Sequence, residues 1–122
     1  MWRMPLIRPL REASAFARLI ALNPVGPESR APVAALLRAG LEAFARGIRP
    51  DIVYFKCLYR FARDEGYPVK QDWFPRLPDE KRQSVALILN QTLEQQTAAP
   101  EAVAELRELL EDYLRQETEI RN

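Results

Sequence analysis

The feature that most constrains this chain is its apolar pattern, which repeats every three to four residues along nearly the whole sequence. Ten prolines and four glycines separate the repeating segments instead of interrupting them. Nowhere do apolar and polar residues alternate as they do in a half-buried strand. With 122 residues, the chain is long enough to bury a core as one domain. The pattern therefore predicts an all-α fold, a compact bundle of four to five helices.

Proline and glycine positions indicate where the helices begin and end. Pro32 and Pro50 suit the first turn of a helix, and Gly47 and Gly66 suit the left-handed residue that follows one. The predicted domain is single and covers residues 1–122. It comprises an N-terminal helix with a proline-rich linker and then a helical core, residues 1–30 and 31–122.

Five segments carry the helical period, at residues 10–22, 31–47, 50–66, 79–96 and 100–117. The third segment is apolar over much of its circumference, so we expect it to be the central helix. The predicted inward stripe of the second comprises Val33, Leu36, Leu37, Leu41, Phe44 and Ile48.

Several residue types that enzymes need are missing. The chain has one cysteine, Cys57, and no histidine, so it lacks an intramolecular disulfide and the commonest metal ligand and neutral-pH acid or base. We find no nucleophile–base pair, clustered metal ligands or glycine-rich phosphate loop. We therefore expect no catalytic residue, metal or cofactor, and we expect Cys57 to be a buried, inert thiol.

No part of the sequence reads as a membrane or export segment. No apolar run approaches the roughly 20 residues that cross a bilayer. The start, "MWRMPLIRPLRE", lacks the long apolar centre and small-residue cleavage site of a secretory signal. We expect a cytoplasmic protein without a membrane partner.

Charge is divided unevenly along the chain. Residues 1–63 hold 11 basic and 4 acidic side chains, a net charge of +7, whereas residues 64–122 hold 7 and 13, a net charge of −6. The acidic residues of the last helix lie away from its leucine stripe, and they form either a solvated face or an acidic docking face.

The basic residues of the second and third helices are candidates for binding. Lys56, Arg60 and Arg63 stand four and three residues apart, which places them along one helix face. This face is either a basic groove for an acidic peptide or a phosphate backbone, or an ordinary solvated stripe. Trp73 and Phe74 in the loop before the fourth helix either cover the core or anchor an interface. The candidate partner-binding residues are Arg46, Arg49, Lys56, Tyr59, Arg60, Arg63, Trp73 and Phe74.

The segment "RAPVAALLRAGLEAFARGIRPDIVYFKCLYRFARDEGYPV" resembles the helical domain of the RecO family of bacterial recombination mediators. Its matching positions are Leu37, Leu41, Gly47 and Pro50 and the closing Gly66-Tyr67, with Lys56 where the family tends to have arginine. The closing "LLEDYLRQETE" is similar to the family's C-terminal helix. Cys57-Leu58 stands where the family usually has Phe-Glu, and Glu65 replaces a leucine. The family's oligonucleotide-binding β-barrel and four-cysteine zinc module have no counterpart in these 122 residues.

The resemblance implies a non-enzymatic DNA-repair and recombination mediator. Its partner would be the acidic C-terminal tail of single-stranded-DNA-binding protein, with other recombination mediator proteins as further partners. Nucleic-acid binding is expected to be weak without a barrel domain. Two alternatives stay open from the residues: a small helical DNA-binding protein that uses the basic N-terminal half, and an obligate homo-oligomer.

Overall fold

The structure, a computed structural model, describes residues 7–122, with side chains from residue 11 onward. Among these residues it has six α-helices and no strand. The helices are α1 (Ile7–Leu22), α2 (Pro27–Ala45), α3 (Pro50–Asp64), α4 (Phe74–Arg76), α5 (Asp79–Asn90) and α6 (Pro100–Glu117). A π-helix (Val69–Trp73) leads directly into α4, and a 3-10 turn (Leu93–Gln95) follows α5. The all-α prediction is confirmed, since five helices have 12 to 19 residues and α4 adds a turn of three. None of the described helices is both long and apolar enough to cross a bilayer.

The third helix lies at the centre of the bundle, as its composition predicts. α3 packs against α1, α2, α5, α6 and the π-helix. A helix with neighbours on so many sides must be apolar around most of its circumference. Its buried side chains are Ile52, Val53, Tyr54, Phe55, Cys57, Leu58, Tyr59, Phe61 and Ala62.

Most predicted helix ends coincide with the observed ones. α3 begins at Pro50 and α6 at Pro100, because the fixed φ of proline and its missing N–H suit the first helical position. Gly47 and Gly66 have φ values of +72° and +90° after α2 and α3. Glycine adopts this left-handed conformation without a Cβ clash, so both helices end where predicted.

Two helix ends differ from the prediction. α2 begins at Pro27, four residues earlier than predicted, so Pro27 takes the first-turn position and Pro32 lies exposed inside the helix. α5 ends at Asn90, six residues earlier than predicted. Beyond it, Gln96 donates from Nε2 to the Ile88 oxygen at 2.9 Å and the Gln91 oxygen at 3.1 Å. A side chain that satisfies these terminal carbonyls takes the place of further helical turns.

The inward stripe of α2 is shifted from the predicted one. Leu41 is 43% exposed, although the pattern placed it inside. Gly40 faces the core instead, where a Cβ would lie 2.7 Å from Cε2 of Phe16. The missing side chain lets α1 approach α2 closely, and the Phe16 and Phe44 rings meet at 6.3 Å between centroids. The buried residues of α2 are Val33, Leu36, Gly40 and Phe44.

Candidate partner-binding groove

A groove of about 530 Å³ lies where α3, α5 and the segment of π-helix and α4 meet. The α3 side is basic, and the opposite side is largely apolar. Its described lining contains no carboxylate, thiol or imidazole, so it presents cations and apolar surface and no metal ligand set. We call it the basic groove, and its lining residues are Lys56, Tyr59, Arg60, Arg63, Lys70, Phe74, Ala86, Leu89 and Asn90.

The α3 wall follows from the spacing of its residues. Lys56, Arg60 and Arg63 are separated by four and three positions, and Tyr59 lies between them on the same side. The other sides of α3 are buried against neighbouring helices, so this is the side left for charged groups. The sequence placed Lys56, Arg60 and Arg63 along one helix face, and all three line the groove together with Tyr59.

Lys56 is held in place at one end of the groove. Its Nζ donates to the backbone oxygen of Gln91 at 2.6 Å, just beyond the C-terminus of α5. Burial lowers the pKa of Lys56 below its ordinary value, and the opposing effect of Cys57 is smaller. A cation at a helix C-terminus stabilises the unpaired carbonyls there. Lys56 therefore joins α3 to α5 as well as lining the groove.

The other cations of the groove are more accessible. The Arg60 and Arg63 side chains are 60% and 52% exposed, and both contact Asp64, at 3.6 Å and 3.1 Å. Such exposed ion pairs contribute little free energy, so both guanidinium groups can exchange Asp64 for an anionic ligand. Lys70 is exposed and has no ion pair among the described residues. The groove thus keeps a positive surface available.

Phe74 owes its position on the groove to the buried residue that precedes it. Trp73 is 4% exposed, and its ring lies 6.5 Å and 6.4 Å from the rings of Phe55 and Tyr59. Phe74 is partly buried and lines the groove beside Leu89. The two adjacent aromatics therefore have different surroundings, with Trp73 in the core and Phe74 at the groove.

A polar network fastens the π-helix from its other side. Asp72 accepts a hydrogen bond from the Tyr113 hydroxyl at 3.0 Å and two from Arg76 at 2.9 Å. Arg76 also pairs with Glu117 at 2.5 Å and lies 5.6 Å from the centre of the Tyr113 ring. Burial, followed by the hydrogen bond to Asp72, raises the pKa of Tyr113 to about 12. These contacts tie the segment that carries Phe74 to α6.

Three of the predicted site residues lie outside the groove or beneath it. Arg46 pairs with Glu94. Arg49 precedes α3 in a left-handed conformation, φ +48°, and pairs with Asp51 at 3.0 Å. Trp73 is a core residue, as described above. The prediction included Arg46 and Arg49 because they stand close to Lys56 in sequence, but neither lines the groove, and Trp73 was included as a possible interface anchor.

The structure also adds lining residues that the sequence did not indicate. Lys70 stands alone in a segment that the sequence predicts to be a loop and that forms the π-helix in the structure, and its neighbours give no periodic signal. Leu89 follows the buried Ile88 on α5 and is itself partly buried at the groove edge. Packing of the π-helix and α5 against α3 brings these residues to the basic face, and no local pattern in the sequence records that packing.

A larger cavity of about 800 Å³ lies between α1, α6 and the start of α3. Its central charges are paired with each other: Arg107 contacts Glu12 at 3.0 Å and Glu111 at 3.1 Å, and lies 4.1 Å from the centre of the Tyr54 ring. Because Arg107 links α1, α3 and α6 in this way, we assign these contacts to the stability of the bundle.

Cys57 is 6% exposed in the core. Burial raises the pKa of its thiol to about 12, more than the charges of Arg60 and Lys56 lower it. The reactive form of cysteine is the thiolate, so this thiol is inert near neutral pH.

Comparison with known proteins found no matching family model, curated protein or solved structure.

Proposed function

We propose that this protein is a non-enzymatic interaction module whose basic groove binds a short acidic segment of a partner protein. The observation that carries the proposal is the convergence of Lys56, Arg60, Arg63 and Lys70 on one groove whose described lining has no carboxylate. Complementary charge speeds encounter and selects acidic partners.

The shape of the groove favours a peptide that carries an apolar side chain. Phe74 and Leu89, from α4 and α5, form an apolar wall in the same groove as the cations of α3. Lys56 and Arg63 are seven residues apart on α3, a distance of about 10 Å along a helix. An extended chain rises about 3.3 Å per residue, so about three peptide residues span these two cations. The ligand class is thus a short acidic segment with at least one apolar anchor.

The resemblance to the RecO helical domain suggests a particular ligand of this class. In that family the helical domain takes up the acidic, Phe-ended C-terminal tail of single-stranded-DNA-binding protein. We therefore propose a role for this chain in DNA repair and recombination, as a mediator in the cytoplasm that contacts this tail.

A binding titration tests the proposal. We expect a fluorescent acidic peptide ending in Pro-Phe to bind with a micromolar Kd, measured by fluorescence anisotropy, and to bind more weakly as salt is added. Lys70→Glu should weaken binding about tenfold, because it reverses an exposed groove cation. Arg38→Glu is the matched control, since Arg38 is an exposed residue of α2 outside the groove lining. Arg38→Glu should change the Kd of the wild-type protein by less than about twofold, because salt screens the interaction between a distant exposed charge and the peptide.

Two results would contradict the proposal. One is the absence of peptide binding at hundreds of micromolar protein. The other is equal weakening by Lys70→Glu and Arg38→Glu, which would trace binding to net charge instead of the groove. An oligonucleotide that binds near physiological salt while the peptide does not would assign the groove to DNA.

A further inference from the structure

We propose that the Tyr59 hydroxyl, together with Arg63, forms a subsite that selects a carboxylate group in the bound segment. The inference rests on the proposed function, because it assigns one contact within the same groove. The proposed function uses the charge of the groove and its apolar wall, whereas the subsite concerns a neutral hydrogen-bond donor.

Packing holds the Tyr59 ring in one position. Tyr59 is 6% exposed, and its ring lies 6.4 Å from that of Trp73. Trp73 is in turn packed on Phe55, whose ring lies 6.5 Å away. A ring fixed by buried neighbours presents its hydroxyl with little loss of side-chain entropy on binding.

The Tyr59 hydroxyl is a donor that no described residue engages. Among the described residues it makes no hydrogen bond, although more than nine-tenths of the residue is buried. In the described part of the chain, one side-chain oxygen is both completely buried and without a hydrogen bond, and it is Oε1 of Gln96 and not the Tyr59 hydroxyl. The Tyr59 oxygen is therefore not sealed in the core, and the basic groove is the open space that Tyr59 lines. A hydroxyl that opens into a groove and is not engaged by a described residue is free to donate to a bound ligand.

Arg63 provides the second donor of the subsite. It lies four residues after Tyr59, one turn along the same face of α3. Burial raises the pKa of the Tyr59 hydroxyl, and the charge of Arg63 opposes that shift in part. The phenol therefore keeps its proton near neutral pH and can donate it to an anion. A guanidinium and a phenol together suit the two oxygens of a carboxylate.

A double-mutant cycle on the whole chain tests the subsite. Tyr59→Phe removes the hydroxyl and keeps the ring against Trp73, and a thermal unfolding scan confirms that the variant is folded. We expect it to weaken binding of the acidic peptide about tenfold, the loss typical of a hydrogen bond to a charged group. The same titrations are repeated with peptides in which each acidic residue is replaced singly by its amide. For one of these peptides, Tyr59→Phe should change the Kd by less than about twofold, because the carboxylate that pairs with Tyr59 is already gone.

Acetate serves as a second probe that does not depend on the peptide. We expect acetate to shift the Tyr59 ring resonances and the Arg63 Nε–H resonance saturably in the wild-type protein. In Tyr59→Phe the shift of the Arg63 resonance should need several-fold more acetate.

The outcomes separate the subsite from the proposed function. Peptide binding that Tyr59→Phe leaves unchanged overturns the subsite and leaves the function standing. Saturable acetate binding that depends on the hydroxyl, without peptide binding, supports the subsite and overturns the function. If neither probe binds, both are wrong. Tighter binding of inorganic phosphate than of acetate overturns the choice of a carboxylate ligand.

Discussion

The Nζ of Lys56 lies 2.6 Å from the backbone oxygen of Gln91, so a lysine that lines the basic groove also secures the C-terminal end of α5. This end of α5 has a further donor in Gln96, whose side chain reaches the same oxygen. Substitutions at Lys56 therefore report on two properties at once, the stability of the fold and the charge of the groove.

We predict that Lys56→Met lowers the free energy of unfolding by about 1 kcal/mol, because it removes a charge-assisted hydrogen bond. The loss is modest because the cost of desolvating the amine partly offsets the stabilisation from that bond. Lys70→Met is the matched control, and it should change stability by less than about 0.5 kcal/mol, as exposed unpaired side chains do. Urea unfolding midpoints, compared at equal m-values, measure both. Equal midpoints for the two variants would show that the contact with Gln91 contributes nothing to stability.

Trp73 and Phe74 should respond differently to substitution. Trp73→Ser removes a buried aromatic, so we expect a loss of about 3–5 kcal/mol and a fall in Tm of about 10 °C or more. Phe74→Ser should cost less than half as much, because Phe74 is only partly buried, and it should weaken peptide binding by removing the apolar wall. Calorimetry and the anisotropy titration measure the two effects. A larger loss of stability for Phe74→Ser would reverse the assignment of core and groove.

Alkaline pH should destabilise the fold through Cys57. The folded-state pKa of its thiol is about 12, against 9.0 for the exposed group, so the unfolded chain loses this proton first. The resulting stability is fully present below pH 9 and is lost as the pH rises from 9 towards 12, by up to about 1.4 kcal/mol per pH unit. Buried tyrosines, including Tyr113, add losses of the same sign above pH 10.

A Cys57→Ala variant isolates this contribution. Its baseline stability should be lower, because the substitution leaves a small cavity in the core. Between pH 9 and 10, however, its urea midpoint should change less steeply than that of the wild-type protein. Parallel slopes in this interval would mean that the thiol is accessible to water in the folded state.

Gly40→Ala should destabilise the protein despite the higher helix propensity of alanine. The added Cβ would lie 2.7 Å from Cε2 of Phe16 and 3.1 Å from Sγ of Cys57, both in the core. Overpacking of this kind costs about 1–3 kcal/mol, whereas the gain in propensity is at most about 1 kcal/mol. Thermal unfolding decides the sign. The neighbouring Ala39→Gly, at an exposed position of the same helix, should cost about 1 kcal/mol through propensity alone.

Much of the bundle follows from local patterns. Pro50, Pro100 and Gly66 mark helix ends because proline and glycine constrain the backbone at their own positions. The central place of α3 follows from its apolar circumference. Lys56, Tyr59, Arg60 and Arg63 share a face because the period of a helix depends only on its own backbone. Leu41 was mispredicted because a neighbouring helix decides which face of α2 is buried, and Gly40 is the residue that contacts Phe16 of α1.

By itself, the sequence determined the helical architecture and the basic face of α3, because both depend on residues a few positions apart. Only the tertiary structure decided that Lys70, Phe74 and Leu89 complete a groove with that face, and that Arg46, Arg49 and Trp73 do not. It also decided that Trp73 belongs to the core, through rings contributed by α3. The physical reason is that a groove forms between elements far apart in sequence, and their relative position depends on how all their buried faces pack together.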